Sequence, residues 1–219
     1  WSDEHFEALK EQMRPLAEAG QKVITATLNR DPWGYQTYDD YEEMIFWIRH
    51  KDGSWSYDYT VFDRRVELMM DLGVKKQINC YSMIPWSYRL QYLDEESGIR
   101  KHAWDAIPGT EEFEFMWAPF LQDFVKHLKE KGWLEITNIA TDERSPEEMD
   151  ATVAIMQKYA PELGFAMADN HASYRRYPNI KDCSVAQRQL YLTDEELQQR
   201  KAKGHVTTFY VCCSTFFPN

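Results

Sequence analysis

Apolar positions along the chain switch between two rhythms. After Ser2, the residues Phe6, Leu9, Met13 and Leu16 recur at helical spacing and the run ends at Gly20, with Pro15 bending the last turn. Val23 to Leu28 follows as a near-continuous apolar run, the pattern of a strand covered on both faces in a parallel sheet. The polar, aromatic stretch from Asn29 to Glu43 reads as a long loop. Met44–His50 and Ser54–Tyr59 then flank Lys51-Asp52-Gly53, whose Asp-Gly step predicts a β-hairpin set into that loop. Phe62, Val66, Leu68, Met69 and Leu72 mark a helix closed by Gly73, and Lys75–Tyr81 returns as a strand.

The second half repeats the alternation. Ser82 to Thr110 is a long excursion holding Trp86, Tyr88, Tyr92 and Trp104, and aromatic content of this kind argues against disorder. Phe113, Trp117, Phe120, Leu121, Phe124, Val125 and Leu128 line one long amphipathic helix ending near Gly132. A strand over 134–140 leads to a helix that opens at Ser145-Pro146 with Glu147 and Glu148 in its first turn. Met149, Val153, Met156 and Tyr159 give its apolar face, and residues 164–168 form the next strand, ending in Asp169-Asn170-His171. After a polar connection, Thr193-Asp194-Glu195-Glu196 is a capping box for a helix stopped by Gly204, and 206–212 is the last strand.

About five main strands (22–28, 75–81, 134–140, 164–168 and 206–212) alternating with helices predict a parallel α/β architecture. The expected fold is a (β/α)8 TIM-type barrel, incomplete within these residues, because the chain has 219 residues where such a barrel usually takes roughly 250. A doubly wound sheet also fits the alternation, but no G-x-G-x-x-G or phosphate-binding loop opens any helix.

A net charge of −11 and a pI near 5.0 argue against nucleic acid as a partner, since phosphate binding needs clustered Lys and Arg. No apolar run approaches the ~20 residues that span a bilayer, and no Lys-then-apolar signal segment opens the chain. A start at Trp1 rather than Met suggests excision from something longer. Cys80, Cys183, Cys212 and Cys213 show neither zinc-site spacing nor the density of a disulfide scaffold, and Cys80 and the Cys212-Cys213 pair, in or beside strands, read as small buried hydrophobes. The scattered histidines give no H-E-x-x-H spacing, so neither a catalytic metal nor a cofactor is expected.

The stretch that carries chemistry is Asp142-Glu143, two acids between a strand and a helix. In barrels of parallel strands, residues at the C-terminal strand ends face the site. Adjacent strand-end side chains point to opposite sides, so one acid aims at the mouth and the other sideways. The competing reading is a pair that merely caps the next helix in bulk water. Around them, Asn79, Tyr81, Asn170, His171 and Tyr210 near other strand ends are candidates to grip a ligand, with Trp86 as a loop platform. Trp117 is a further candidate, although its place in an amphipathic helix suits the core better than a ligand; His171 equally suits a surface loop, and Tyr210 has the alternative of a strand residue packing outward.

Asp142-Glu143 after Gly132-Trp133-Leu134, together with Tyr210-Val211-Cys212-Cys213-Ser214 and Phe217-Pro218-Asn219, resembles the catalytic domain of glycoside hydrolase family 123, a bacterial family. The resemblance runs over most of the chain, including Phe113–Leu128 and the hairpin near Trp55. It implies that residues 1–219 are part of one catalytic barrel domain, with a β-sandwich domain and further barrel strands lying elsewhere. It also implies β-N-acetylgalactosaminidase activity on a glycan, and a periplasmic or extracellular location. Glu143 would be the general acid and then the base, while Asp142, ionised, holds the substrate's acetamido N–H so that the acetamido oxygen attacks the anomeric carbon. Tyr210 would donate to that oxygen. Two alternatives stay open: a glycosidase for a glycan without the acetamido group, using Glu143 with Asp169 as a second carboxylate, and a carbohydrate-binding domain without catalysis.

Overall fold

The computed structural model of the protein describes residues 1–38, 42–186 and 192–211. Cys212, Cys213 and the Phe217-Pro218-Asn219 segment lie outside the described residues. Helix α1 (Asp3–Glu18) is capped by the Ser2 hydroxyl and leads into β1 (Val23–Thr27). β2 (Phe46–Arg49) and β3 (Trp55–Asp58) form the expected hairpin, and α2 (Thr60–Asp71) carries the chain to β4 (Gln77–Tyr81). β5 (Leu90–Asp94) and β6 (Ile99–Ala103) are a second hairpin, followed by α3 (Glu111–Lys131) and β7 (Thr137–Thr141). Then come α4 (Pro146–Tyr159), β8 (Gly164–Asp169), β9 (Ile180–Ala186), α5 (Asp194–Ala202) and β10 (Val206–Tyr210).

The strands divide between two sheets. Six pair in parallel in the order β1-β4-β7-β8-β9-β10, and four form a mixed sheet in the order β3-β2-β5-β6. The expectation of a (β/α)8 barrel is therefore corrected: the described residues make a curled six-stranded parallel sheet, with β1 and β10 as its edges, beside a separate small sheet. A flat sheet would set β4 and β9 roughly 14 Å apart, three strand spacings. Yet the Asp182 carboxylate on β9 accepts from Asn79 Nδ2 on β4 at 2.8 Å, and from Gln77 as well. Only a strongly curled sheet lets these side chains meet across its concave face.

Several elements escaped the hydrophobic pattern for identifiable reasons. β9 pairs with both neighbours, but its Lys181, Asp182 and Ser184 make it read as a polar connection. A register shift at Lys181 places Asp182 opposite Ala166 rather than on the apolar side shared by Ile180 and Phe165. β5 and β6 are rich in charge, and their turn relies on Asp94 accepting from Ser97 and on Gly98 at φ +68°. Residues 134–136 form a short 3-10 turn rather than the start of β7.

The convex face of the large sheet carries Ile24, Ala26, Ile78, Cys80 and Ile139, all fully buried under Phe62, Val66 and Met69 of α2 and Phe124 and Leu128 of α3. Thr110 caps α3, and Gly132, at φ +73°, ends it in the left-handed conformation that glycine adopts without strain. Trp47 of β2 stacks on Phe120 of α3 at 4.5 Å between centroids and meets Trp117 edge-on at 5.1 Å. Its indole N–H donates to the Leu28 carbonyl at 3.0 Å, pinning the small sheet to the C-terminal end of β1.

On the concave face, Asn138 Nδ2 donates to Asn79 Oδ1 at 3.0 Å. Gly164 gives way to this network, because a Cβ there would lie 2.1 Å from Asn138 Oδ1 and 2.6 Å from Lys181 Cδ. Gly164→Ala is expected to lower stability by about 3 kcal/mol, the upper end of overpacking costs. Urea unfolding measures it, and an unchanged midpoint would show that this floor is not closely packed.

Candidate active site

Side-chain alternation decides which residues share the concave face. Strands in register point paired residues the same way, so Asn79 and Asn138 define a row that continues through Tyr81 on β4 and through Ala140 to Asp142 beyond β7. Thr141, one residue out of phase, turns to the other side, where its hydroxyl meets the Met149 sulfur of α4. Asp142 and Glu143 follow at the C-terminal edge. Ser145 then opens α4 with a capping box closed by Glu148, and Pro146 occupies the first turn. The cap is thus made by Ser145 and Glu148, leaving both preceding acids for other partners.

Each acid is held from a different side. Asp142 Oδ2 accepts the Trp86 indole N–H at 2.7 Å, and Oδ1 accepts the Glu143 backbone N–H at 2.9 Å. Glu143 Oε2 accepts Asn170 Nδ2 at 3.0 Å. Both acids are half-buried. Burial, followed by the negative charge of Asp142, pushes the Glu143 carboxyl above the ordinary carboxylate range, against the opposing pull of His171 and Asn170. Burial and the Asp142 and Asp182 charges also push the Tyr81 phenol up to about 12, so it stays a hydrogen-bond donor.

The loops over the strand ends complete the surroundings. The Trp33 ring lies 5.6 Å from that of Tyr81, and Gly34 comes so close to Trp86 that a Cβ would sit 2.9 Å from the Trp86 Cβ. Asp169 is fully buried and accepts from the Ser173 backbone N–H at 2.7 Å, the Ser173 hydroxyl at 2.9 Å and the His171 backbone N–H at 2.9 Å. These bonds fold the turn that presents Asn170 to Glu143. They also occupy Asp169 as a loop organiser, which does not suit it to serve as a second catalytic carboxylate.

The expected residues do not all assemble. Asp142, Glu143, Tyr81, Trp86 and Asn170 meet at one edge, with the exposed His171 beside Glu143. Asn79 is 6% exposed and is spent on the network below, so it is floor rather than wall. Trp117 is corrected to a core residue: it is fully enclosed on α3 between Trp47 and Phe120, where no sugar reaches it. Tyr210 lies on the edge strand opposite Ala186, on the concave side, with its buried hydroxyl lacking a partner among the described residues; no contact joins it to either acid. The sequence pattern gave no sign of Trp33 or Arg144 as site residues, though Arg144 directly follows the pair. No group of His, Cys, Asp and Glu suited to a metal ion occurs among the described residues, and no helix there is long and apolar enough to cross a membrane.

A curled parallel α/β sheet with two acids at its C-terminal edge defines a domain that keeps its chemistry in strand-end loops. The chain belongs to the family described as glycoside hydrolase 123, catalytic domain, whose model matches residues 1–219. It is similar, at 28% identity and a TM-score of 0.88, to a family 123 glycoside hydrolase from Clostridium perfringens whose structure was analysed for glycolipid glycan hydrolysis. The match covers 98% of this chain and 40% of that one, so the chain spans less than half the relative's length. No curated protein matches the chain.

The raised Glu143 fixes a sign for stability against pH. A carboxyl whose folded value lies above its unfolded one adds stability below the unfolded value, and that contribution is lost as pH rises through the folded value. Glu143→Gln, which cannot ionise, is therefore expected to melt above wild type near pH 7, with the gap closing on acidification. Calorimetry across this range checks it, and a gap that widens on acidification would reverse the assignment.

Proposed function

We propose that this domain hydrolyses a terminal β-linked N-acetylhexosamine, with N-acetylgalactosamine as the first sugar to try, retaining configuration through an oxazolinium intermediate. Glu143 protonates the departing glycosidic oxygen and then takes a proton from the incoming water. Asp142, ionised, accepts the acetamido N–H, so that the acetamido oxygen closes on the anomeric carbon. Its charge then faces the cationic ring that forms. No protein nucleophile is needed.

The observation that carries this reading is the unequal setting of two adjacent acids. Asp142 receives two N–H donors, whereas Glu143 is lifted by burial and by its neighbour's charge. One carboxylate is thereby gripped by donors, and the other holds its proton more firmly than an ordinary carboxyl, the direction in which an acid and its partner must differ. The relative from Clostridium perfringens, described by its glycolipid glycan hydrolysis, supports a glycan as substrate class.

The test is turnover of 4-nitrophenyl N-acetyl-β-galactosaminide and N-acetyl-β-glucosaminide by a protein containing this domain. Glu143→Gln and Asp142→Asn are each expected to lose on the order of 10²–10⁴-fold in kcat, the range for a positioned acid–base group, with unfolding still cooperative. A thiazoline mimic of the oxazolinium should inhibit wild type and lose affinity for the Asp142→Asn variant. Near-normal turnover in both variants would overturn the assignment, and indifference to the thiazoline would remove substrate assistance.

A further inference from the structure

Arg144 is a buried cation that the chemistry above leaves unused. It is 4% exposed, and burial pulls its guanidinium below the usual value, opposed by Tyr88, Glu148 and Asp142. A charge is enclosed at such a cost only where its surroundings repay it. One repayment is the Ile84 carbonyl, which accepts from Arg144 Nη2 at 2.9 Å. The larger feature is a stack. The guanidinium carbon lies 4.0 Å from the centroid of the Trp86 ring and 5.4 Å from that of Tyr88.

The far edge of the same indole touches the site. Trp86 N–H donates to Asp142 Oδ2 at 2.7 Å, and the Trp86 backbone N–H is fixed by the Pro32 carbonyl at 2.9 Å. Tyr88 in turn gives its hydroxyl to Glu148, the acid that closes the cap of α4. Arg144, Trp86 and Asp142 thus form one chain of contacts braced at the start of α4. A cation against an indole face draws electron density towards itself and leaves the ring N–H a stronger donor, in addition to the attraction that fixes the ring plane.

We propose that Arg144 is a positioning residue for Asp142, acting through Trp86: the guanidinium sets the tilt of the indole and strengthens the N–H that holds the carboxylate. The role rests on the proposed function for its kinetic consequence but not for the contact itself. The guanidinium is essential to it, because its carbon lies only 4.0 Å from the ring centroid, over the indole. Lysine preserves charge but offers no plane to stack.

The experiment has a spectroscopic and a kinetic arm. In protein labelled with 15N, the indole resonance absent from Trp86→Phe is that of Trp86. It is expected downfield in wild type and shifted upfield in Asp142→Asn and Arg144→Met alike, with Arg144→Lys in between. Loss of one hydrogen bond to a charged group corresponds to about 10–100-fold in rate. Arg144→Met and Trp86→Phe should each lose that much kcat on the aryl glycoside with little change in KM. The double variant should be no slower than the worse single one, since both act on the same contact. An unmoved Trp86 resonance in Arg144→Met, or losses that multiply in the double variant, would overturn the proposal. If Arg144→Met fails to fold, Arg144→Lys carries both readouts, and a wild-type resonance with wild-type turnover in that variant would overturn it equally. Activity that survives Glu143→Gln would instead defeat the proposed function while leaving the resonance test standing.

Discussion

Everything at the strand ends depends on a polar crossing beneath them. Asp182, reaching from β9 to Asn79 and Gln77 on β4, fastens the concave face across three strand spacings. A carboxylate buried at 9% exposure is tolerable because two amide groups bond to it, and the same bonds fix how tightly the sheet curls. Gly164 supplies the room, since any side chain on β8 at this level would occupy the space of Asn138 and Lys181. With curvature set here, Tyr81, Asp142 and Asn170 converge above the network instead of fanning apart as they would on a flat sheet.

Above that floor, the two acids are separated chemically by what touches them. Asp142 meets a braced indole and a backbone N–H; Glu143 meets an amide on a turn that is itself folded around buried Asp169. The walls therefore come from three sources that are distant in sequence. These are the loop after β1 with Trp33 and Gly34, the loop after β4 with Trp86 and Tyr88, and the turn after β8 with Asn170 and His171. The small sheet has no part in holding the acids directly. It contributes by locking the loop after β1 against α3 through Trp47, whose ring lies among Phe120, Trp117 and Tyr57.

The apolar rhythm determined much of this. α1 to α5, the first hairpin and five of the six parallel strands are legible because helices and covered strands each impose a period on residues that must be buried. The acid pair was legible too, since a strand, two carboxylates and a capped helix put it at the chemical edge of any parallel α/β sheet, and the family resemblance rests on those same residues. Tertiary structure alone decided what lies between these elements. β9 sends Ile180, Cys183 and Val185 into the core while Asp182 faces an interior polar network, and the polar residues between them hide the strand; no periodicity rule reads Asp182 as buried. The amphipathic helix already favoured the core for Trp117, whereas Asn79 went to the floor because enclosure depends on what packs opposite, which one strand does not encode. Arg144 became part of the site through the ring it meets, fifty-eight positions earlier in the chain. Local sequence fixes the direction in which a side chain leaves its backbone, and only the folded chain supplies what it meets there.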